Sequence, residues 1–184
     1  SITADWIRAA YHPTGIALII GKDGASPSSS WVQYASRDQG VAFSVVASHS
    51  SFGYSPSIAR LATGDLGVVW LAHATSYPTY TRLGSAWQPV TAPAPVILES
   101  TARKACAIVG DPAGGVYAYV ASATNDAIQV YRSTDTGLSW SGAGYQLYGN
   151  GVAGTTWNYM AACSWLGGAL LIGRVGTPYG SAVA

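Results

Sequence analysis

STDTGLSW, from Ser133 to Trp140, follows the frame S-x-D-x-G-x-x-W, and SRDQGVAF, from Ser36 to Phe43, repeats it with phenylalanine as the last ring. In such a frame the aspartate accepts hydrogen bonds from backbone N–H groups in a turn. The glycine takes the positive φ that a side chain would oppose. The ring can then pack between adjacent sheets. The frame therefore predicts a β-hairpin turn that recurs once in each structural unit.

A second pattern gives the length of that unit. An apolar strand, a glycine turn and another apolar strand recur with glycines at Gly15, Gly67, Gly115 and Gly168, at steps of 52, 48 and 53 residues. A period near 50 with four short strands per repeat is typical of a β-propeller. In phase with it, the second repeat carries a degenerate copy of the frame, Tyr80-x-Arg82-x-Gly84-x-x-Trp87.

These repeats predict an all-β fold, a β-propeller of four-stranded antiparallel blades. We expect one domain over residues 1–184, with blade 1 at about 4–50, blade 2 at about 55–92, blade 3 at about 103–148 and part of blade 4 at about 158–184. An incomplete ring leaves strand edges exposed. The rest of the propeller is therefore expected from chain beyond Ala184, which we favour, or from neighbouring copies.

The composition narrows the class of function. Only 9% of the residues are charged and the formal net charge is +1, without a lysine or arginine cluster, which argues against nucleic acid as a partner. The sequence has no apolar stretch long enough for membrane insertion. Its two cysteines, Cys106 and Cys163, lack metal-ligand spacing, so we expect no metal and no cofactor. They are interpreted as two buried free thiols, with a single bridge as the alternative in an oxidising compartment.

At the two frames the chain resembles the Asp-box (BNR) repeat family of sialidase-like β-propellers. The matching residues are Ser36, Asp38, Gly40 and Phe43 in blade 1, and Ser133, Asp135, Gly137 and Trp140 in blade 3. The resemblance implies a structural role for these residues. It also implies a function among those of the family, which includes sialidases, other glycoside hydrolases, sortilin-type receptors and viral and phage glycan-binding proteins.

Ligand-binding residues are expected on the face opposite the Asp boxes, where the longer connections between strands lie. Rings mixed with short polar side chains suit a neutral polar ligand such as a sugar. The candidates are His49, Phe52, Tyr54, His73, Tyr77, Tyr145, Tyr148 and Trp157. Packing of individual rings under their own loops is the alternative.

Evidence for catalysis is weaker. A glycosidase generally needs two carboxylates flanking the scissile bond, and the candidates outside the boxes and turns include Asp23 and Glu99. Arg8 and Arg60 each lie seven residues before their blade's glycine, which predicts equivalent places from which two guanidinium groups could hold a carboxylate ligand. The arginine motif that opens sialidase propellers is not matched by the sequence Trp6–Ala10.

The sequence thus favours a module that binds a carbohydrate or a cell-surface receptor, in a virion (phage tail or spike) or a secreted lectin-like protein. The expected location is the virion or the extracellular space. A fragment of a sialidase-like glycoside hydrolase is the first alternative, and a protein-interaction scaffold is the second.

Overall fold

The structure is a computed structural model that describes residues 6–12, 15–22, 30–50, 53–83, 95–124, 127–148, 157–165, 168–175 and 182–183. The strands in these ranges form four separate antiparallel sheets, in each of which consecutive strands are neighbours. The first sheet contains β1 (Trp6–His12), β2 (Gly15–Lys22), β3 (Ser30–Ser36) and β4 (Ser44–Ser50). The second contains β5 (Tyr54–Arg60), β6 (Leu66–Leu71), β7 (Pro78–Leu83) and β8 (Val96–Ile97).

The third and fourth sheets repeat this plan. The third contains β9 (Arg103–Gly110), β10 (Val116–Ser122), β11 (Ala127–Ser133) and β12 (Ser141–Tyr148). The fourth contains β13 (Trp157–Trp165), β14 (Gly168–Val175) and β15 (Ala182–Val183). The first strands of successive sheets contact one another, β1 with β5, β5 with β9 and β9 with β13. This is the arrangement of propeller blades around an axis, as the sequence predicts.

The core lies between the blades, because a first strand is covered on both faces. In β9, Cys106 and Ile108 share a buried cluster with side chains of the second sheet. The alternate residues Ala105, Ala107 and Val109 share another with the fourth sheet. A strand buried on both faces reads as a continuous apolar run rather than an alternating one, which explains the sequences of β9 and of β6 (LGVVWL).

The glycine alignment of the second blade is wrong by two residues, because Asp65 and not Gly67 corresponds to Gly115. Gly64 and Gly114, with φ of 85° and 102°, are the matching turn glycines, and their repeat is 50 residues (114 − 64). Their N–H groups donate to the carbonyl oxygens of Leu61 and Asp111, each at 2.9 Å. Gly67 instead lies within β6, where a Cβ would be 3.1 Å from each of three packed side chains. Packing, and not the turn, therefore accounts for a glycine at this position.

The degenerate third frame is also displaced, by three residues toward the C-terminus. Val116, the first residue of β10, pairs with Ser133, and Leu66, the first residue of β6, pairs with Leu83. Leu83 therefore occupies the serine position of the frame. Tyr80, which was predicted to occupy it, lies three residues earlier on β7 and is buried.

The end of the second blade differs from the end that the repeat pattern predicts. Gly84 and Trp87, the end of the degenerate frame, lie outside the described residues. The fourth strand, β8, is at Val96–Ile97, beyond the predicted end of the blade at about residue 92. The second sheet thus takes its last strand from a segment that the repeat pattern assigned to the connection.

Within the residues the structure describes, there is no helix with the length and hydropathy needed to cross a membrane. The same part of the chain contains no group of three or more His, Cys, Asp or Glu side chains that could hold a metal ion.

Candidate functional site

The turn of the first frame, Ser36–Phe43, which we call a box turn, is closed by hydrogen bonds within seven residues. The hydroxyl of Ser36 donates to Asp38 Oδ1 at 2.6 Å and accepts the N–H of Gly40 at 2.8 Å. Asp38 Oδ1 also accepts the N–H of Ala42 at 2.9 Å. These bonds, with that of Ser36 first, lower the pKa of Asp38 because they favour its charged form. The carboxylate is used to hold the turn.

The second turn repeats this geometry. Ser133 Oγ donates to Asp135 Oδ1 at 2.7 Å and accepts the N–H of Gly137 at 2.8 Å, while Ser139 N–H donates to Asp135 Oδ1 at 2.8 Å. The Ser139 hydroxyl adds a bond to Asp135 Oδ2. Led by that bond, these interactions lower the pKa of Asp135 to about 2. Gly40 and Gly137 have φ of 96° and 91°, so both turns need the left-handed region at the glycine.

The second turn also joins two blades. The ring of Trp140 meets Tyr80 edge to face, with centroids 4.9 Å apart. Tyr80 O–H donates to the carbonyl oxygen of Thr136 at 3.3 Å, and Arg82 Nη1 donates to Thr136 Oγ1 at 3.1 Å. Arg82 is itself ion-paired with Asp65. Asp65 therefore helps to anchor the contact between blades 2 and 3.

The opposite face carries the connection between β6 and β7, residues 72–77. Tyr54 O–H and the Ser76 hydroxyl are 2.5 Å apart, which ties the connection to the start of β5. Ser76 has a positive φ of 56°, and its carbonyl oxygen accepts the N–H of Arg103 at the start of β9. The connection is thus fixed where blades 2 and 3 meet. The ring of Tyr54 is half-buried and packs against the apolar cluster between blades 2 and 3.

His73 and Tyr77 lie on this fixed connection and are half-buried. Tyr77 contributes its backbone to the loop, since its N–H donates to Thr75 Oγ1 and its carbonyl oxygen accepts the N–H of Ala72. Among the residues that the structure describes, neither the imidazole of His73 nor the hydroxyl of Tyr77 makes a hydrogen bond. Two partly open side chains on a rigid support are the best-placed of the predicted ligand residues.

Glu99 lies in a polar cluster beside this connection, which we call the Glu99 cluster: Glu99, Arg103, Gln129 and Tyr131. Arg103 Nε and Nη2 both donate to Glu99, and Nη2 also donates to Gln129 Oε1. Tyr131 O–H donates to Gln129 Oε1 at 3.1 Å. Burial, followed by the hydrogen bond and charge of Glu99, raises the pKa of Tyr131. The sequence suggested Glu99 alone, because nothing in the spacing shows that Arg103 also binds Gln129, 26 residues further along the chain.

The remaining predicted ligand residues are placed differently. Trp157 is 2% exposed and packs in the core between the third and fourth sheets. Phe52 lies outside the described residues, and so does the candidate acid Asp23. His49, Tyr145 and Tyr148 belong to β4 and β12, but their side chains lie outside what the structure describes.

The predicted equivalence of Arg8 and Arg60 does not hold. Arg60 is the last residue of β5 and pairs with Leu66, whereas the matching position in β1 is Tyr11. Arg8 lies three residues before Tyr11, and an odd spacing on a strand places side chains on opposite faces. Arg8 Nη1 donates to the carbonyl oxygen of Ile7 at 3.0 Å. The two guanidinium groups therefore do not form a matched pair.

Arg60 instead faces a cavity of about 320 Å³ among the four first strands, at the end that carries the box turns. Tyr11, Cys163 and Ser164 also line it. Cys163 is exposed and free, while Cys106 is buried and free, donating to the carbonyl oxygen of Ser55 at 3.1 Å. One of the two thiols predicted to be buried is thus at the surface.

The carboxylates described by the structure are all engaged locally. Asp38 and Asp135 hold the box turns, Asp65 pairs with Arg82, Glu99 pairs with Arg103, and Asp111 Oδ1 accepts the N–H of Ala113 at 2.8 Å. Hydrolysis of a glycoside needs two carboxylates that face the scissile bond. The other three carboxylates, Asp5, Asp23 and Asp126, lie outside the described residues.

No protein-family model matches the chain, and no curated protein sequence matches it. Fourteen chains of solved structures do match. One is a xylan β-1,4-xylosidase from Bacillus halodurans C-125, with a TM-score of 0.65 and 15% identity over 95% of this chain and 38% of that one. Another is a mutant of the GH43 protein BlXynB from Bacillus licheniformis, with a TM-score of 0.61 and 16% identity over 95% of this chain and 37% of that one.

These likenesses establish the class of fold. The neighbours are β-propellers, which confirms the predicted fold of four-stranded antiparallel blades. The chain spans less than two-fifths of the length of either of these neighbours. It has the architecture of part of a β-propeller.

Proposed function

We propose that the chain is part of a carbohydrate-binding β-propeller, with its ligand surface on the face opposite the box turns. The observation that carries this proposal is the rigid 72–77 connection, which presents His73 and Tyr77 beside the Glu99 cluster. A ring can cover the C–H face of a sugar while imidazole, hydroxyl and amide groups bond its hydroxyls. The ion pair of Arg103 and Glu99 carries no net charge, which suits a neutral sugar.

The fold supports the same ligand class. Both neighbours named above are carbohydrate-active by their names, a xylan β-1,4-xylosidase and a GH43 protein. A neutral β-1,4-xylo-oligosaccharide is therefore the first ligand to test. A binding module of a virion or a secreted protein remains our proposal for the biological setting, with the virion or the extracellular space as its location. The comparisons give a protein-interaction scaffold no support.

Titration calorimetry with xylohexaose, alongside a glycan array, tests the proposal. Tyr77→Ala should weaken binding roughly tenfold, the effect of losing one stacked ring, and His73→Ala should weaken it by less. Leu138→Ala is the matched control, because Leu138 is an exposed apolar residue on the opposite face. Absence of any glycan ligand, or loss of binding only in Leu138→Ala, would contradict the proposal.

A sialidase-like or GH43-like hydrolase is the second candidate, favoured by the names of the neighbours and by their greater length. Its test is release of nitrophenol from a chromogenic β-xyloside and from a chromogenic sialoside. Turnover that is lost in Glu99→Gln, while xylohexaose is still bound, would replace the binding module with this enzyme.

A further inference from the structure

Blade 1 carries most of the large apolar side chains that are exposed in the described part of the chain. Among the residues whose exposure the structure describes, eight large apolar side chains are exposed, and five of them belong to blade 1. They are Ile7, Tyr11, Val41, Phe43 and Val45. Such a concentration on one element marks a surface that is normally covered.

Strand register identifies what the matching surface of blade 3 touches. Tyr11 of β1 pairs with Ile16, which in turn pairs with the box serine Ser36. In blade 3, Gly110 of β9 pairs with Val116, which pairs with the box serine Ser133, so Tyr11 and Gly110 hold equivalent positions. Counting back, Ile7 corresponds to Cys106 and Ala9 to Ile108. Cys106 and Ile108 are at most 1% exposed, because blade 2 covers them. The exposed face of β1 is therefore the face that a preceding blade covers.

The aromatic residue that ends each frame also shows that a preceding blade covers this face. Trp140 closes the box of blade 3 and packs on Tyr80 of the preceding blade. Phe43 holds the same position in the box of blade 1 and is 40% exposed. Val41 does not belong to this surface, since its counterpart Leu138 is exposed even beside blade 2. The covered set consists of Ile7, Ala9 and Phe43.

Tyr11 restricts what can cover this flank. A Cβ on the matching Gly110 would lie 2.0 Å from the carbonyl oxygen of Arg60, so blade 2 approaches blade 3 too closely for any side chain there. Tyr11 places a whole phenol at that point and is exposed. A blade shaped like blade 2, including that of a second copy, cannot seat on blade 1 without displacing this ring.

We propose that the flank formed by Ile7, Ala9 and Phe43 is the docking surface of a further propeller blade, distinct from the blades of this chain. Its third strand carries an aromatic ring at the place of Tyr80, to meet Phe43, and its first strand leaves room for Tyr11. The covering element is a four-stranded sheet rather than a second copy. This fits neighbours that are five-bladed propellers and of which the chain spans less than two-fifths. The inference does not depend on carbohydrate binding.

A fusion supplies such a blade as a probe. Residues 53–102, which contain the second sheet and its connection to the third, are placed ahead of Ser1, and Tyr11→Gly creates the close approach that Gly110 provides. Phe43→Ala should then lower the urea midpoint by roughly 0.5–1 M in the fusion and leave it unchanged in the unfused Tyr11→Gly chain. Tyr80→Ala in the added copy alone should abolish the difference. An equal, negligible effect of Phe43→Ala in both proteins would overturn the proposal.

A measurement on the unaltered chain covers the case in which the fusion does not fold. Light scattering after size exclusion should show association that increases with concentration and is reduced by Ile7→Ser or Phe43→Ser. Val41→Ser, the control, should leave it unchanged. A discrete dimer that persists on dilution would show a second copy on this flank instead, and equal behaviour of all three variants would show that the flank docks nothing.

Discussion

The ring of Trp140 in the third blade stands edge-on to the ring of Tyr80 in the second, with an interplanar angle of 67°. The two residues lie 60 positions apart in the sequence (140 − 80) and join the box of one blade to the third strand of the preceding one. The contact shows how a local turn contributes to packing between blades.

Replacing Trp140 tests this contribution. Trp140→Ala should reduce the free energy of unfolding by about 3 kcal/mol, the usual cost of deleting a large packed ring. Trp140→Phe should cost less than about 1 kcal/mol, because the indole Nε1 is buried without a hydrogen-bond partner in the structure. Urea denaturation followed by circular dichroism measures both. The control is Phe43→Ala, because Phe43 holds the equivalent position in blade 1 and is exposed. If Phe43→Ala destabilises the chain as much as Trp140→Ala, the contact with Tyr80 is not what makes Trp140 stabilising.

The polar part of the same interface is testable by a double-mutant cycle. Arg82 bridges Asp65 of its own blade to Thr136 of the next. Arg82→Met should destabilise the chain by about 2–3 kcal/mol, because it leaves a largely buried Asp65 carboxylate unpaired. Combined with Thr136→Val, it should show a coupling energy of about 0.5–1 kcal/mol.

Lys104→Met serves as the control for Arg82→Met, because Lys104 is exposed. Its effect should stay within about 0.5 kcal/mol. Strict additivity of Arg82→Met and Thr136→Val would mean that the bond between the two blades contributes nothing to stability.

Asp135 predicts a pH dependence of stability. Its pKa is about 2 in the folded chain, below the ordinary aspartate value of 3.8. A carboxylate whose folded pKa is depressed stabilises the fold above its unfolded pKa and loses that contribution as the pH falls through its folded pKa. The stability advantage of the wild type over Asp135→Asn should therefore be constant above about pH 5 and shrink between about pH 4 and 2.

Ser139→Ala separates this effect from general acid denaturation. It removes the hydroxyl that contributes most to the lowered pKa of Asp135. The variant should therefore lose less stability over the same pH interval than the wild type. Because Asp135 is near the surface, the difference should also shrink at high salt. Parallel pH profiles for all three proteins would contradict the role of these hydrogen bonds.

The two thiols should differ in reactivity. Burial raises the pKa of the Cys106 thiol, which disfavours the reactive thiolate. Cys163 is instead exposed at the cavity among the four first strands. Ellman's reagent should therefore titrate one thiol per folded chain and two in denaturant. Cys163→Ser should abolish the reaction of the folded chain. Two fast thiols, or none, would contradict the structure, and none in denaturant would indicate the bridge considered as an alternative.

Local features of the fold could be predicted from the sequence, and features that depend on neighbouring blades could not. The serine, aspartate and glycine of each box act on one another within a few residues, so the frame at Ser133–Trp140 shows its own turn. Gly67 caused the error in the alignment, because the sequence does not distinguish a glycine required by side-chain packing from a glycine required by a turn. Only strand pairing separates it from Gly64.

The candidate site shows the same division. Tyr77 and His73 could be selected because polar residues and rings on a connection favour binding. Trp157 fits the same pattern but belongs to the core, since its burial depends on β9 of the neighbouring blade. The hydrogen bond from Arg103 to Gln129 was equally hidden, because it forms only once blade 3 has its third strand.

The box turns also bear on the order of folding. Their hydrogen bonds join residues two to four positions apart, whereas those of Tyr80 and Arg82 to Thr136 span 56 and 54 positions. Short loops close with little entropic cost and form fast, and contacts of high sequence separation form later. Each turn can therefore form while its blade is still alone. As a ribosome delivers one blade after another, the nascent chain would present a finished box turn on which Trp140 is already positioned to meet the blade made before it.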